Sequence, residues 1–139
     1  MKNEIKDPNF FEGGKAIFTV HNNKGKHYTY KIQKKPKWPF CVYVLTGEDN
    51  TSNYTYLGTY NPRNFKVYLT GKSKYKEDSM IVKVVRWAIT RVSSGKPVPE
   101  GYGIRHDGRC CRCGRLLTTP ESIEAGIGPE CRKKVSSFQ

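Results

Sequence analysis

The stretch KAIFTVHNNKGKHYTYKI, residues 15–32, decides the fold of this chain. Two β-rich runs, 17–20 and 28–32, flank the segment 21–26, whose Asn and Gly residues favour the positive φ angles of a hairpin turn. In the second run large apolar side chains alternate with polar and basic ones, which is the period of a strand with one buried face. The sequence therefore predicts a β-hairpin as the first ordered element.

More strands are expected downstream of this hairpin. The run FCVYVL, residues 40–45, is continuously apolar, which is typical of a central strand buried on both faces. After a polar turn at 47–53, the segment 54–60 is predicted to be a strand, and 65–69 a further short one. These segments together predict an antiparallel β-meander of four or five strands.

One amphipathic helix is predicted from a cap at Ser79 to about Ser94. Apolar residues recur at helical spacing between Met80 and Val92, with basic residues on the remaining face. Gly and Pro at 95 and 97 end the pattern. Because its apolar stripe must be buried, we expect the helix to pack on the sheet, giving an α+β fold.

Three regions are predicted along the chain: a flexible N-terminal tail (1–14), a basic sheet-and-helix domain (15–99) and a small zinc-binding module (100–139). The tail is polar, contains Pro8 and ends in two glycines. The loop 97–102, rich in Pro and Gly, marks the boundary before the module.

Four of the five cysteines lie within residues 110–131, which favours metal ligation over disulfide formation in a reducing compartment. Cys110 and Cys113 form the Cys-x-x-Cys-Gly arrangement of a zinc knuckle, and Cys131 supplies a third thiol. Zinc in a structural site takes four ligands, so the fourth is either His106 or Cys111. We favour His106, because Cys111 lies inside the knuckle, where its side chain should point away from the ion.

The predicted cofactor is therefore a structural Zn²⁺ held by His106, Cys110, Cys113 and Cys131, in a treble-clef-like module. A redox-active thiol pair and an incidental group of reduced cysteines are the alternatives. A catalytic ion is disfavoured, since four protein ligands would leave no position for water.

The cysteine-rich segment resembles a known family. The strings CRCGRLL (111–117) and PESIEAGIGPEC (120–131) are similar to a zinc-binding module of unknown function that recurs in bacteriophage, plasmid and actinobacterial proteins. Weaker similarity to hypothetical mobile-element proteins extends upstream through YVLTG (43–47) and YTYLGT (54–59). The resemblance implies zinc and a phage or plasmid setting, and it implies no particular reaction.

The formal net charge is +13, from 25 Lys and Arg against 12 Asp and Glu, which favours a polyanionic partner. Residues 1–99 carry +11 of this charge and residues 100–139 only +2. The sequence has no run of about 18 apolar residues and no apolar signal core, so we expect a cytoplasmic protein (host cytoplasm if phage-encoded) without a membrane partner.

Nucleic-acid binding by a small sheet needs cations for phosphates and flat rings for bases, and both occur in this chain. The competing interpretation is that the tyrosines form the core face and the lysines a solvated edge. The candidate nucleic-acid-binding residues are Lys24, Lys26, Tyr28, Tyr30, Lys31, Lys34, Lys35, Lys37, Trp38, Arg63, Lys66, Lys72, Lys74, Arg86 and Arg91.

The preferred functional hypothesis is a zinc-stabilised, non-enzymatic protein that binds DNA or RNA. The alternative is a small phage-encoded inhibitor that binds a host defence or transcription protein, or a ribonucleoprotein complex. Catalysis is not expected, because the chain has three histidines and no phosphate-binding loop or Ser/His/Asp set. Its one adjacent acidic pair within the predicted sheet region, Glu48 and Asp49, falls in a polar turn.

Overall fold

The structure is a computed structural model that describes residues 3–37, 39–47 and 53–134. Its strands are β1 (Lys15–His21), β2 (His27–Lys34), β3 (Phe40–Leu45), β4 (Tyr54–Asn61), β5 (Lys66–Tyr68) and β6 (Gly103–His106). An N-terminal 3-10 helix (Pro8–Glu12) precedes them, and the α-helices are α1 (Met80–Ser93), α2 (Pro120–Ala125) and α3 (Pro129–Lys134). No helix in these ranges is both long and apolar enough to cross a bilayer.

The six strands form one antiparallel sheet in the order β5-β4-β3-β2-β1-β6. The first five are consecutive, which confirms the predicted meander. The sixth strand returns from the far end of the chain and pairs with β1 from His21 opposite Gly103 to Phe18 opposite His106. The predicted module therefore begins with a strand of the main sheet, so the sheet continues past residue 100.

One face of the sheet, the inward face, carries the hydrophobic core. The predicted helix is observed as α1, and Val82, Val85 and Ile89 on its inward side are fully buried among the core residues. Phe18 and Tyr30 stack at a centroid separation of 5.6 Å on the inward face. Burial of large side chains of this kind supplies most of the stabilisation of a small domain.

The central position predicted for the run 40–45 is confirmed, but its burial on both faces is not. In β3 the inward side chains of Phe40, Val42 and Val44 are buried, whereas the alternate ones stay partly exposed. A β-bulge between Val42 and Tyr43 shifts the register against β4. The run is continuously apolar because both faces of β3 carry apolar side chains, but only the inward face is covered.

The predicted flexible tail is wrong for the residues that the structure describes. Phe10 and Phe11 of the 3-10 helix are 1% and 0% exposed, and Phe11 meets Phe18 at 5.1 Å between ring centroids. Ahead of this helix, the amide of Ile5 donates to the Ile104 carbonyl, and the amide of His106 donates to the Asn3 carbonyl. The segment thus covers the edge strand β6 and fills the core beside α1.

Candidate functional site

The cysteine-bearing segment begins with a tight hairpin that contains the knuckle. The amide of Cys110 donates to the Arg115 carbonyl at 2.8 Å, and the amide of Gly114 donates to the Cys110 carbonyl at 2.9 Å. Gly114 has φ of +79°, in the left-handed region that glycine adopts without strain. This turn brings the side chains of Cys110 and Cys113 to the same side.

Two short helices return the chain to this hairpin. The Thr119 hydroxyl accepts from the Ser122 amide at 3.3 Å and caps α2, as its Thr-Pro start favours. Gly126, with φ of +75°, ends α2, and α3 then carries Cys131 in its first turn. The chain between the knuckle and Cys131 therefore contains the short helix α2.

The ligand atoms of Cys110, Cys113 and Cys131 all lie within 4.8 Å of one another. Three sulfurs around one tetrahedral zinc, each about 2.3 Å from it, would be about 3.8 Å apart. The separation is therefore suitable for a shared ion, which makes this cluster a candidate metal site. Cys110 and Cys131 are buried, while Cys113 is exposed.

The surroundings of Cys110 stabilise its thiolate. Burial raises the pKa of Cys110, but backbone amides of Gly128, Cys113 and Arg112 donate to the sulfur and bring its pKa down to about 7. On Cys131 the sulfur accepts from a guanidinium nitrogen of Arg112 at 3.6 Å. The donors around Cys110 therefore stabilise the thiolate, which is the form that binds a metal. On Cys131 the Arg112 contact lowers the pKa, but burial outweighs it and the pKa of this thiol is raised.

His106 does not belong to this cluster, which corrects its prediction as the fourth ligand. Its Nδ1 accepts from the amide of Gly108 at 3.0 Å, so its Nε2 carries the proton and donates to the Ile123 carbonyl at 2.6 Å. Both ring nitrogens are therefore used within the protein. The buried imidazole joins β6 to α2 instead of binding an ion.

Cys111 is not the fourth ligand either. It is 1% exposed and packs against Gly13, where an added Cβ would lie 2.5 Å from its sulfur. Burial, followed by the charge of Cys110, raises the pKa of the Cys111 thiol. The side chain thus points into the N-terminal segment, as its position inside the knuckle predicts, and serves packing.

A second candidate surface is the face of the sheet opposite to α1, which we call the open face. All its outward-pointing side chains in the described strands are at least partly exposed, so no described helix covers it. Strand register places Lys31 beside Tyr43, Tyr43 beside Tyr56, and Leu45 beside Tyr54. Three tyrosines and a lysine therefore adjoin in the middle of this face.

Cations lie over these tyrosine rings. The Nζ of Lys31 is 4.4 Å from the ring centroid of Tyr54 and 5.1 Å from that of Tyr43. The Nζ of Lys35 is 5.3 Å from the Tyr43 ring, and a hydrogen bond with Tyr43 raises the pKa of this lysine. Such cation–π contacts keep flat rings and positive charges together at one surface.

Two of the predicted binding aromatics lie on the other face. Tyr30 is fully buried, and its hydroxyl donates to the Ile81 carbonyl of α1 at 2.7 Å. Tyr28 packs against the core on the same side. Strand alternation separates them from Lys31, so the competing core interpretation is correct for Tyr28 and Tyr30.

Arg86 and Arg91 are also held within the protein. Two guanidinium nitrogens of Arg86 donate to the Val67 carbonyl, and a third pairs with Glu77. Arg91 donates to the Pro97 carbonyl at 3.1 Å and lies over the Trp87 ring. Arg86 thus connects α1 to β5, and Arg91 connects α1 to the loop that follows this helix. Both are therefore poor candidates for phosphate contacts.

The remaining candidates are dispersed over the surface. Lys31, Lys35 and Lys66 project from or beside the open face, and Trp38 lies outside the described residues, as do Glu48 and Asp49. The aromatic residues that sequence reasoning missed are Tyr43, Tyr54 and Tyr56. For Tyr54 and Tyr56 the available signal was their spacing of two positions within a predicted strand, which places them on one face. The other basic candidates have exposed side chains at strand ends, in turns or in loops: Lys24, Lys26, Lys34, Lys37, Arg63, Lys72 and Lys74.

Comparison with known proteins gives one match. Residues 103–136 match the model of a family of unknown function, DUF6011, and this range contains β6, the hairpin, both short helices and all three clustered cysteines. No curated protein and no solved structure shows detectable similarity to the chain. The resemblance seen in the cysteine-rich segment is thus confirmed as a similarity to a family whose function is unknown.

Proposed function

We propose that the protein is a zinc-stabilised, non-enzymatic protein that binds single-stranded nucleic acid on its open face. The observation that carries this proposal is the placement of Lys31 and Lys35 over the rings of Tyr43 and Tyr54, on a sheet face that no described helix covers. Bases stack on exposed aromatic rings and phosphates pair with neighbouring cations. Stacking requires unpaired bases, which favours a single strand over a duplex.

In this proposal the metal has a structural role. Zn²⁺ suits a site of thiolates, and Cys110, Cys113 and Cys131 would hold it in a treble-clef-like module. Most of the net positive charge lies in residues 1–99. This supports a division in which the sheet binds nucleic acid and the metal stabilises the module that follows. We place the protein in the cytoplasm, where thiols remain reduced, and its phage or mobile-element setting rests on the family resemblance.

Replacing Lys31 and Lys35 together by Gln should make binding to a single-stranded oligonucleotide less salt-dependent. Each lost phosphate contact removes about 0.7 from the slope of log K against log salt, so the double variant should lose roughly 1.4. The control, Lys83→Gln with Lys96→Gln, removes the same charge at exposed positions on and after α1. Equal effects of the two variants in fluorescence anisotropy titrations would show that only overall charge matters.

Tyr43→Leu should weaken binding while leaving the sheet intact. The substitution keeps an apolar side chain on the open face but removes the flat ring, and a stacked base contributes about 1–3 kcal/mol. We therefore expect at least a roughly fivefold loss of affinity at constant salt. Tyr28→Leu is the matched control on the inward side, and loss of binding in Tyr28→Leu alone would place the interface elsewhere.

The alternative proposal, an inhibitor of a host protein, would use a different surface. A cavity of about 440 Å³ opens beside the start of α1, where Met80 is 61% exposed and Trp87 lies 5.9 Å from Tyr102 between ring centroids. Apolar groups at an open cavity suit a protein partner. The oligonucleotide titrations separate the two proposals, because an inhibitor of this kind needs no affinity for nucleic acid at low salt.

A further inference from the structure

The cysteine cluster supplies three ligands, whereas zinc takes four. Among the described residues, no fourth His, Cys, Asp or Glu joins Cys110, Cys113 and Cys131. The rest of the chain contains neither Cys nor His, and its acidic residues are Glu48 and Asp49. His106 uses both ring nitrogens and Cys111 faces Gly13, so the two candidates predicted from the sequence are already engaged.

The cluster also borders an open cavity. All three cysteines line a space of about 540 Å³, together with three cationic residues, Arg112, Arg115 and Lys134. One acidic residue, Glu130, lines it as well, but its carboxylate is not part of the cysteine cluster. On the protein side, the backbone amides of Gly128, Cys113 and Arg112 already donate to the Cys110 sulfur. Because all three cysteines border the cavity, a fourth ligand can reach a shared ion from there.

We propose that a water molecule from this cavity completes the metal's coordination and that a small oxyanion, phosphate or carboxylate, can replace it. One anion oxygen would bind the ion, and the remaining oxygens would accept hydrogen bonds from Arg112, Arg115 or Lys134. The exchange releases the water and changes no oxidation state. This inference rests on the metal part of the proposed function and is independent of nucleic-acid binding.

The charge of the site determines which chemistry the open position favours. Three thiolates and one Zn²⁺ carry a net charge near −1, so the ion is a weaker Lewis acid than one held by neutral imidazoles. Activation of water for hydrolysis is therefore disfavoured. Binding of an anion remains favourable because the cavity lining contributes three cationic side chains against the single carboxylate of Glu130.

Cobalt-substituted protein provides the test, since the visible bands of Co²⁺ report both the number of thiolates and the identity of the fourth ligand. The full chain loaded with one Co²⁺ should show three thiolates, and inorganic phosphate or acetate should shift the bands saturably. Arg115→Gln with Lys134→Gln should weaken this response by roughly two- to fivefold per cation removed. Lys96→Gln, exposed after α1, is the control and should leave the response unchanged.

X-ray absorption of the zinc-loaded protein gives an independent reading. Three sulfurs and one oxygen are expected around the ion. Four sulfurs, or three sulfurs and an imidazole nitrogen, around the ion would overturn the proposal. Co²⁺ bands that do not shift when phosphate or acetate is added would overturn it as well. Failure to retain one metal ion per chain would instead contradict the metal part of the proposed function, so the two failures are distinguishable.

Discussion

Removal of the metal is expected to unfold residues 107–134 while the six-stranded sheet remains folded. Apart from its cysteines and Gly126, this segment buries only Leu117, Ser122 and Ile127, which is too little apolar surface for an independent core. Structural zinc contributes about 10–16 kcal/mol to small metal-binding peptides, so its loss should exceed the stability of the segment. Strand β6 should persist because it pairs with β1 and buries Ile104.

Hydrogen exchange resolved by segment gives the measurement. After chelation, or in Cys131→Ser, amides of 107–134 should lose protection while those of β1 to β4 keep theirs. Cys41→Ser is the matched control, because Cys41 is a half-buried thiol outside the cluster. Full protection of the segment in metal-free protein would mean that the His106 hydrogen bonds and the packing of Cys111 hold it without an ion.

Phe11→Ala should be strongly destabilising, although Phe11 lies in the segment that the sequence predicts to be a flexible tail. The ring of Phe11 is fully buried and contacts three aromatic rings, those of Phe10, Phe18 and Tyr60. Truncating a buried Phe costs about 3–5 kcal/mol, because contacts are lost and a cavity remains. Chemical denaturation of the metal-loaded protein should therefore show a much lower midpoint.

Phe65→Ala is the matched control for this experiment. Phe65 lies in the turn between β4 and β5 and is 36% exposed, so its truncation should change stability by no more than about 0.5 kcal/mol. A flexible tail would predict equally small effects for both variants. If Phe11→Ala unfolds with the wild-type midpoint, the N-terminal segment contributes nothing to the core.

The strands and α1 were predictable from the sequence because their side-chain periods are strong local signals. Residues 15–32 alternate with period two around a turn rich in Asn and Gly, and 79–94 repeats its apolar residues at helical spacing. Both elements appear within one or two residues of the predicted bounds. Local pattern was sufficient there because burial on one face decides the structure.

The same pattern could not show which face of the sheet α1 would cover. Alternation places Tyr28 and Tyr30 together, but only the tertiary structure decides that they meet α1 and that Lys31 faces solvent. The N-terminal tail was mispredicted for a related reason. Phe10 and Phe11 are buried residues within a polar segment. Two adjacent aromatic residues show neither the helical nor the strand period of apolar side chains.

The metal site was predictable as far as its three cysteines, since their types and spacing constrain them strongly. The role of His106 depended on what its ring nitrogens meet. Those partners are backbone groups of Gly108 and Ile123, and no property of the sequence reveals backbone contacts. The same hydrogen bonds that remove His106 as a ligand leave the cluster with three sulfurs.

The pairing of the last strand with the first has a consequence for synthesis of the chain on the ribosome. His21 and Gly103 are 82 positions apart. Most of the polypeptide must therefore be synthesised before β6 is available to pair with β1. Until then β1 is an edge strand with unpaired backbone groups, available to other nascent chains. The synthesis of residues 103–106, rather than the formation of the β1–β2 hairpin, therefore determines when the exposed edge of β1 becomes protected from aggregation.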